Sequence, residues 1–149
     1  VVLETAAPGL LVALAAPAAA AEDAALKPLY KAATEAQKTR RLAPGEARTP
    51  ADFDQGLASP FVGRYTDPNH PGGYRAIALL DGKLGEFRLA KVEGGGGAGE
   101  ADFFELPALV YGDQITVDFR PKGGPAGLTG YWGGTGIKWP DGNKWPRVE

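Results

Sequence analysis

The stretch that decides the fold lies in the second half of the chain and reads Leu106-Pro107-Ala108-Leu109-Val110-Tyr111-Gly112-Asp113-Gln114-Ile115-Thr116-Val117-Asp118-Phe119. Its second part alternates apolar and polar residues with a period of two, which is typical of a half-buried β-strand. Gly112-Asp113 fits a two-residue hairpin turn with glycine first. Such a turn would give three facing apolar pairs: Val110 with Ile115, Ala108 with Val117, and Leu106 with Phe119. Turn chemistry and apolar pattern therefore predict the same antiparallel register.

Two further turn signals predict two more hairpins. Asp81-Gly82 fits another two-residue turn. It would give three facing pairs: Leu80 with Lys83, Ala76 with Phe87, and Tyr74 with Leu89. Pro140-Asp141-Gly142 fits a turn with Gly142 in the left-handed bulge position. That turn would give two facing pairs: Trp139 with Asn143, and Ile137 with Trp145.

The remaining β signals set the fold class. Residues 61–66 and 128–132 predict two more short strands, and the glycine-rich residues 94–99 predict a flexible loop. Residues 61–149 thus hold about seven or eight strands, with a turn signal roughly every 8–12 residues. This spacing is typical of a small antiparallel barrel or sandwich. The predicted fold is mainly β, preceded by an N-terminal helical arm.

The helical arm is predicted within residues 22–60. Four apolar residues recur there at a spacing of three to four: Leu26, Leu29, Tyr30 and Ala33. That stripe predicts an amphipathic helix over residues 24–41. Pro28 would delay its start to about residue 26. A cap signal at Thr49-Pro50 predicts a second short helix over residues 50–57.

The first 21 residues are nearly uncharged and rich in alanine. A short apolar core at residues 10–16, followed by Ala19-x-Ala21 before Glu22, fits a signal or transit segment with its cleavage site. The core is too short to predict a membrane span, which needs about 20 apolar residues. The alternative is a retained alanine-rich helix, buried or lying against a membrane or a partner. The predicted organisation is therefore residues 1–21, residues 22–60 and a β domain over residues 61–149.

Composition excludes several classes of function. The 149 residues include 16 Lys plus Arg and 18 Asp plus Glu, a net charge of −2, which disfavours a general nucleic-acid binder. The absence of cysteine excludes disulfides, thiolate metal sites and cysteine nucleophiles. A single histidine excludes zinc sites that need two or three imidazoles, and leaves little room for a Ser-His-Asp triad. We therefore expect a non-enzymatic protein without an intrinsic metal or cofactor.

Two polar segments are candidate contact sites. His70 lies in Asp67-Pro68-Asn69-His70-Pro71-Gly72-Gly73, where it would serve as a lone metal ligand or as a general base oriented by Asp67. The same residues are those that turns demand, which favours a purely structural role. Arg120 and Lys122 precede Gly123-Gly124 and would receive an anion such as a carboxylate or a lipid phosphate. The competing interpretation is a loop that ends a strand and carries two solvated cations.

A group of aromatic residues is the third candidate: Tyr131, Trp132, Trp139 and Trp145. Exposed, these rings would form a stacking platform for a sugar or a hot spot for a protein partner. Buried, they would be the core of a small domain. We expect two of the three tryptophans in the core and the third at a surface.

Three motifs carry a family resemblance: residues 61–73 (FVGRYTDPNHPGG), residues 117–125 (VDFRPKGGP) and residues 136–145 (GIKWPDGNKW). In this order they resemble a small family of chloroplast-targeted proteins of plants and algae that are placed in the thylakoid lumen. The resemblance covers residues 61–147. It implies a lumenal, membrane-associated location, with a secreted or periplasmic location as the alternative, and it supplies no catalytic residues.

Two functions from different classes follow. The first, implied by the resemblance, is an accessory or extrinsic subunit, or an assembly factor, that docks on a photosystem. It would contact the membrane surface, have pigments or lipids as neighbours, and bind no nucleic acid. The alternative is a small β-barrel module that binds a sugar, a lipid or a pigment. An enzyme acting through His70 and Asp67 ranks last, because no recognisable constellation supports one.

Overall fold

The computed structural model describes residues 16–39 and 59–148, with side chains from residue 24 onward in the first range. A long helix precedes eight strands and one short 3-10 turn. The elements are α1 (Ala16–Thr39), β1 (Gly63–Tyr65), β2 (Tyr74–Leu84), β3 (Phe87–Gly95), β4 (Phe104–Tyr111), β5 (Gln114–Val117), the 3-10 turn (Arg120–Lys122), β6 (Leu128–Trp132), β7 (Gly136–Lys138) and β8 (Lys144–Pro146). The predicted mainly β fold with a helical arm is confirmed.

The eight strands form an up-and-down sheet that closes almost completely into a barrel. Each strand is antiparallel to the next along the chain, in the order β1 to β8. β1 meets β8 through a bridge between Tyr65 and Arg147. Two backbone bonds flank it, from Thr66 N to Pro146 O at 3.1 Å and from Val148 N to Arg64 O at 2.9 Å. Closure leaves little of either edge free to pair with another chain.

Two of the three predicted hairpins are confirmed. β4 and β5 pair Val110 with Ile115 and Ala108 with Val117, as the turn at residues 112–113 requires. The third predicted pair, Leu106 with Phe119, does not form, because β5 ends at Val117 and Phe119 N donates to Pro125 O at 2.8 Å. β7 and β8 pair Ile137 with Trp145. At their turn, Trp139 N donates to Asn143 O at 2.9 Å, and Gly142 has φ +92°, the left-handed conformation that the bulge position needs.

The predicted turn at Asp81-Gly82 is wrong. β2 runs through these two residues as far as Leu84, which pairs with Phe87 across a turn at Gly85-Glu86. The ladder shifts between Leu79 and Lys83, so Asp81-Gly82 lies in a β-bulge. The predicted register would have set the core residue Ile77 against Glu86. The observed register sets Ile77 against Val92, and both are buried.

Side chains fill the barrel. β6 contributes the partly buried Leu128 and Trp132. The buried core residues come from the other seven strands and from the segments that flank them: Phe61, Tyr65, Ile77, Ala90, Val92, Phe104, Leu106, Ala108, Val110, Ile115, Val117, Ile137, Trp139 and Trp145. An eight-stranded barrel is just wide enough for such side chains to occupy its interior. Two of the three tryptophans are thus in the core, as expected.

Helix α1 packs on the outer surface of the barrel, against β4, β5 and β6. Leu29 and Ala33 are fully buried against Phe87 and Leu109. The side chain of Gln114 donates to the carbonyl oxygen of Ala33 at 3.0 Å. The packing of α1 explains why β5, and β4 from Ala108 to Val110, are buried on both faces.

The predicted start of the helix needs correction. The helix already includes Ala16, well ahead of the predicted start near residue 26, and Pro28 lies inside it. It continues to Thr39, and the predicted end at Arg41 lies outside the described residues. Alanine has the highest helix propensity, so the alanine-rich segment ahead of Pro28 continues the helix despite the proline. The predicted helix at residues 50–57 lies outside the described residues. Within the part of the chain described, no helix has the length and apolarity needed to span a membrane.

Leu29 provides a direct test of helix docking. We expect Leu29→Ala to lower the free energy of unfolding by about 2–5 kcal/mol, because it removes a fully buried side chain. Leu80→Ala is the matched control, since Leu80 is exposed on β2. Urea denaturation followed by circular dichroism measures both. Equal, small effects of the two variants would contradict the docked position of α1.

Candidate functional site at the mouth of the barrel

Four loop segments meet at one end of the barrel, which we call the mouth. They are residues 66–73 after β1, residues 96–103 between β3 and β4, residues 118–127 after β5, and residues 139–143 between β7 and β8. Of the three motifs that carry the family resemblance, residues 61–73 and 117–125 end within two of these segments. The third motif, residues 136–145, contains the segment between β7 and β8. The polar candidate residues of the sequence analysis, His70, Arg120 and Lys122, therefore all lie in segments at the mouth.

A fully buried arginine organises the mouth. Arg75, on β2, donates from Nη2 to Asp67 Oδ2 at 3.0 Å and to Glu100 Oε1 at 2.8 Å. Its Nη1 donates to Glu100 Oε2 at 3.0 Å and to Tyr74 O at 2.8 Å. The guanidinium also lies 4.9 Å from the ring centroid of Phe104 and 5.2 Å from that of Trp145. The pairing with Glu100 is bidentate, the geometry that arginine favours with a carboxylate.

Both carboxylates are held ionised. Burial alone would raise the pKa of Glu100, but hydrogen bonds from Arg75 and Lys122 outweigh it and lower the pKa to about 2. Burial opposes ionisation of Asp67 too, yet hydrogen bonds from Asn143, the backbone of Asn69 and Arg75 bring its pKa below the usual value. The mouth is therefore a charged cluster that stays charged at neutral pH.

Asp67 fixes the first loop locally. Its Oδ1 accepts from the backbone N–H of Asn69 at 2.9 Å, and its carbonyl oxygen accepts from His70 N at 2.9 Å. Such a side-chain turn is what Asp-Pro-Asn favours. His70 Nδ1 contacts the carbonyl oxygen of Ala98 at 2.9 Å, so the ring is held by the opposite loop and not by Asp67. The structure thus places His70 in a turn that bridges two loops.

The two cations after β5 are committed to internal carboxylates. Lys122 Nζ donates to Glu100 Oε1 at 2.9 Å and lies 4.2 Å from the ring centroid of Phe104. Arg120 forms a bidentate contact with Asp118 and also donates to the carbonyl oxygen of Ala25 on α1 at 3.2 Å. Lys122 is mostly buried, with 19% of its side chain exposed, whereas 48% of the Arg120 side chain is exposed to solvent. Their positive charge is largely neutralised where it stands.

A cleft of about 250 Å³ opens at the mouth. Phe119 and Leu128, both half-buried, supply apolar walls. Trp139 and Trp145 line the cleft as well. His70, Lys122, Asp141 and Asn143 contribute polar groups to its lining. The combination of apolar walls and a few converging polar groups is typical of a small-molecule site.

The two cleft tryptophans form a tight aromatic cluster. Their ring centroids are 4.9 Å apart, and Phe119 meets Trp139 edge-on at 5.7 Å. Only 5% of Trp139 and 3% of Trp145 is exposed. Gly130 makes room for Trp139, because a Cβ there would lie 2.8 Å from the indole ring. The indole N–H of Trp139 is buried and has no hydrogen-bond partner among the described residues.

The structure brings together some of the predicted contact residues and separates others. His70, Lys122, Trp139 and Trp145 line one cleft, whereas Arg120 is not among its lining residues and binds Asp118 and the carbonyl oxygen of Ala25 on α1. Tyr131 and Trp132 end β6 at the opposite end of the barrel, where Trp132 packs edge-on against Phe61. The aromatic residues therefore do not form one platform.

Sequence reasoning missed the residues that build the mouth, Arg75 and Glu100 above all. One signal for Arg75 was present: it has the same strand parity as Ile77 and Leu79, so it points into the barrel. Glu100 follows the glycine-rich segment predicted as a flexible loop. Its partner is 25 residues away in the sequence, which no local pattern reveals.

The described residues contain no group of three His, Asp or Glu side chains able to hold a metal ion. Searches of protein-family models, curated proteins and solved structures return no match to this chain. The geometry of the mouth therefore carries the functional conclusion.

Arg75→Met tests the role of the buried ion cluster. It leaves Asp67 and Glu100 without their main counter-charge, so we expect a loss of about 3–5 kcal/mol of unfolding free energy. The double variant Arg75→Met/Glu100→Gln should lose less than the sum of the two single losses, because one of the two uncompensated carboxylates is removed. Chemical denaturation of the wild-type protein, the two single variants and the double variant measures the four free energies of unfolding. Arg64→Met, at an exposed arginine on β1, is the control. If the loss in the double variant equals the sum of the two single losses, the energetic coupling between Arg75 and Glu100 is contradicted.

Proposed function

We propose that this protein is a non-enzymatic binding module that holds one small ligand in the cleft at the mouth of its barrel. The observation that carries the proposal is the cleft itself, about 250 Å³ in volume, whose lining combines the apolar side chains of Phe119 and Leu128 with polar groups of His70, Asp141 and Asn143. Apolar walls with a few convergent polar groups are what a small-molecule site requires.

The size of the cleft limits the ligand. Typical pockets for drug-sized ligands measure about 300–1,000 Å³, and this cleft, about 250 Å³, is slightly smaller. Side chains fill the barrel interior behind it. These dimensions favour a single small ring over the acyl chain of a lipid or the macrocycle of a pigment.

Docking on a photosynthetic membrane complex in the thylakoid lumen remains a second proposal. The resemblance of the three motifs supports it. The same chain could carry both a cleft and a docking surface. Purification from gently solubilised thylakoids without any photosynthetic subunit would count against docking.

Chemical-shift mapping tests the binding proposal. We expect compounds from a panel of small neutral, acidic and basic rings to shift the backbone amides of Phe119, Leu128 and Asn143 together. Tyr131 and Trp132 should not respond, because they lie at the other end of the barrel. Two-dimensional NMR of the intact, isotope-labelled protein provides the readout. A panel that shifts no cleft amide, or shifts only amides elsewhere, would refute the proposal.

A further inference from the structure

We infer that the end of the barrel opposite the mouth binds the surface of a membrane that contains anionic lipids. The surface in question, which we call the basic end, is formed by residues 59–65, 132–138 and 144–148. The inference does not depend on the cleft. It rests on positive charges that this end leaves uncompensated, on where those charges lie, and on the apolar side chains beside them.

Positive charge is concentrated at the basic end. It contains four of the 16 basic residues of the chain and none of the 18 acidic ones, so the rest of the chain has a formal charge of −6. The four cations are Arg64, Lys138, Lys144 and Arg147. A chain with a net charge of −2 thus presents a positive surface, which attracts polyanions.

Neutral groups hold these cations in place. Arg147 Nη1 donates to Pro60 O at 2.8 Å, and its Nη2 donates to Val62 O at 2.7 Å. Lys144 Nζ donates to the hydroxyl of Thr135 at 2.8 Å. Across residues 24–39 and 59–148, the ion pairs of lysine and arginine involve other cations: Arg75, Lys91, Arg120 and Lys122. The charge of the basic end therefore stays available to a partner.

Three of the cations converge on the turn between β6 and β7. Lys138 and Lys144 face each other across β7 and β8, and like charges in this position are destabilising. The side chain of Lys138 runs along Gly133, where a Cβ would lie 2.8 Å from its Cε, and Lys144 reaches Thr135. Arg147 N donates to Thr135 O at 3.0 Å. An anionic partner would relieve the repulsion that this arrangement creates.

The cations also spread beyond the reach of one small anion. β8 pairs with β7 on one side and meets β1 on the other, where Val148 N donates to Arg64 O at 2.9 Å. Neighbouring strands lie about 4.8 Å apart, so Lys138 and Arg64 lie on strands separated by roughly 10 Å. A single phosphate group does not span that distance. A surface that carries many anionic groups does.

The other turns at this end leave the charge balance unchanged. They carry two carboxylates, Glu86 and Asp113, and two cations, Lys83 and Arg88. Glu86 hydrogen-bonds with Tyr111, which packs against the cluster under α1. The positive side of this end is therefore the side formed by β6, β7, β8 and β1, away from the helix.

Apolar side chains favour a lipid surface over a soluble polyanion. Val62 is 38% exposed and Val148 is 44% exposed, and both adjoin Arg147. The guanidinium of Arg147 lies 5.7 Å from the ring centroid of the half-buried Trp132. Cations beside aliphatic and tryptophan side chains suit the boundary between headgroups and acyl chains. Bound in this way, the protein would keep its mouth turned away from the membrane.

The test measures binding of the intact protein to vesicles by co-sedimentation. One set of vesicles contains phosphatidylcholine alone, and the other an equimolar mixture of phosphatidylcholine and phosphatidylglycerol. Each Lys or Arg near an anionic surface is worth roughly fivefold in binding, so we expect the mixed vesicles to bind at least about tenfold more tightly. Added salt should weaken this binding, because it screens the attraction.

Two double variants locate the interaction. Lys138→Gln/Lys144→Gln removes two charges from the basic end, and we expect it to weaken binding to the mixed vesicles by about ten- to thirtyfold. Lys27→Gln/Lys31→Gln removes the same charge from exposed positions on α1 and should change binding by less than about twofold. Thermal unfolding of both variants checks that the fold persists.

Polyglutamate serves as a soluble polyanion in the same assay. If it binds and the mixed vesicles do not, the partner is an acidic protein and the membrane assignment is wrong. Equal binding to both kinds of vesicle, or no binding to either, would overturn the inference. Equal weakening by the two double variants would overturn the role of the basic end. Since the cleft lies at the opposite end, none of these results decides whether it holds a ligand.

Discussion

The structure depends on a guanidinium buried at the mouth of a barrel that is otherwise filled with apolar side chains. Removing such a charge from water costs several kcal/mol, and the cost is offset only where the geometry of its partners is good. Arg75 meets this condition at its two terminal nitrogens, through a bidentate Glu100, a carboxylate oxygen of Asp67 and the carbonyl oxygen of Tyr74. Its Nε has no hydrogen-bond partner among the described residues. Since these partners come from separate segments, burying Arg75 requires the loops at residues 66–73 and 96–103 to be in place together.

The same cluster shapes the cleft. Asp67 uses Oδ2 for Arg75 and Oδ1 for Asn143, so one carboxylate ties the first loop to the turn between β7 and β8. That turn follows Trp139 directly. Glu100 accepts from Lys122 and thereby holds the segment after β5 across the mouth. The ion cluster thus holds the segments that line the cleft in fixed relative positions, which is a common way of keeping a site preorganised.

Local chemistry made part of the fold predictable. The hairpins at residues 112–113 and 140–142 were correct because turn residues and apolar pairs agree on one register in each. At Asp81-Gly82 the two signals conflict, and the pairing of Ile77 with Val92 prevails over a favourable turn dipeptide. The cleft was only partly predictable. Its tryptophans, His70 and Lys122 stand out by residue type, whereas Arg75 and Glu100 acquire their roles only when the barrel closes.

The ionisation of Glu100 is the measurement that tests the buried cluster most directly. Because its pKa in the folded chain, about 2, lies below the ordinary 4.5, the carboxylate stabilises the fold above about pH 4.5. That contribution is lost as the pH falls toward 2. A carboxyl-carbon NMR titration of the intact protein should show Glu100 still ionised at pH values where an ordinary glutamate is half-protonated, changing only near pH 2 or on unfolding. A midpoint at or above 4.5 in the folded protein would contradict the account.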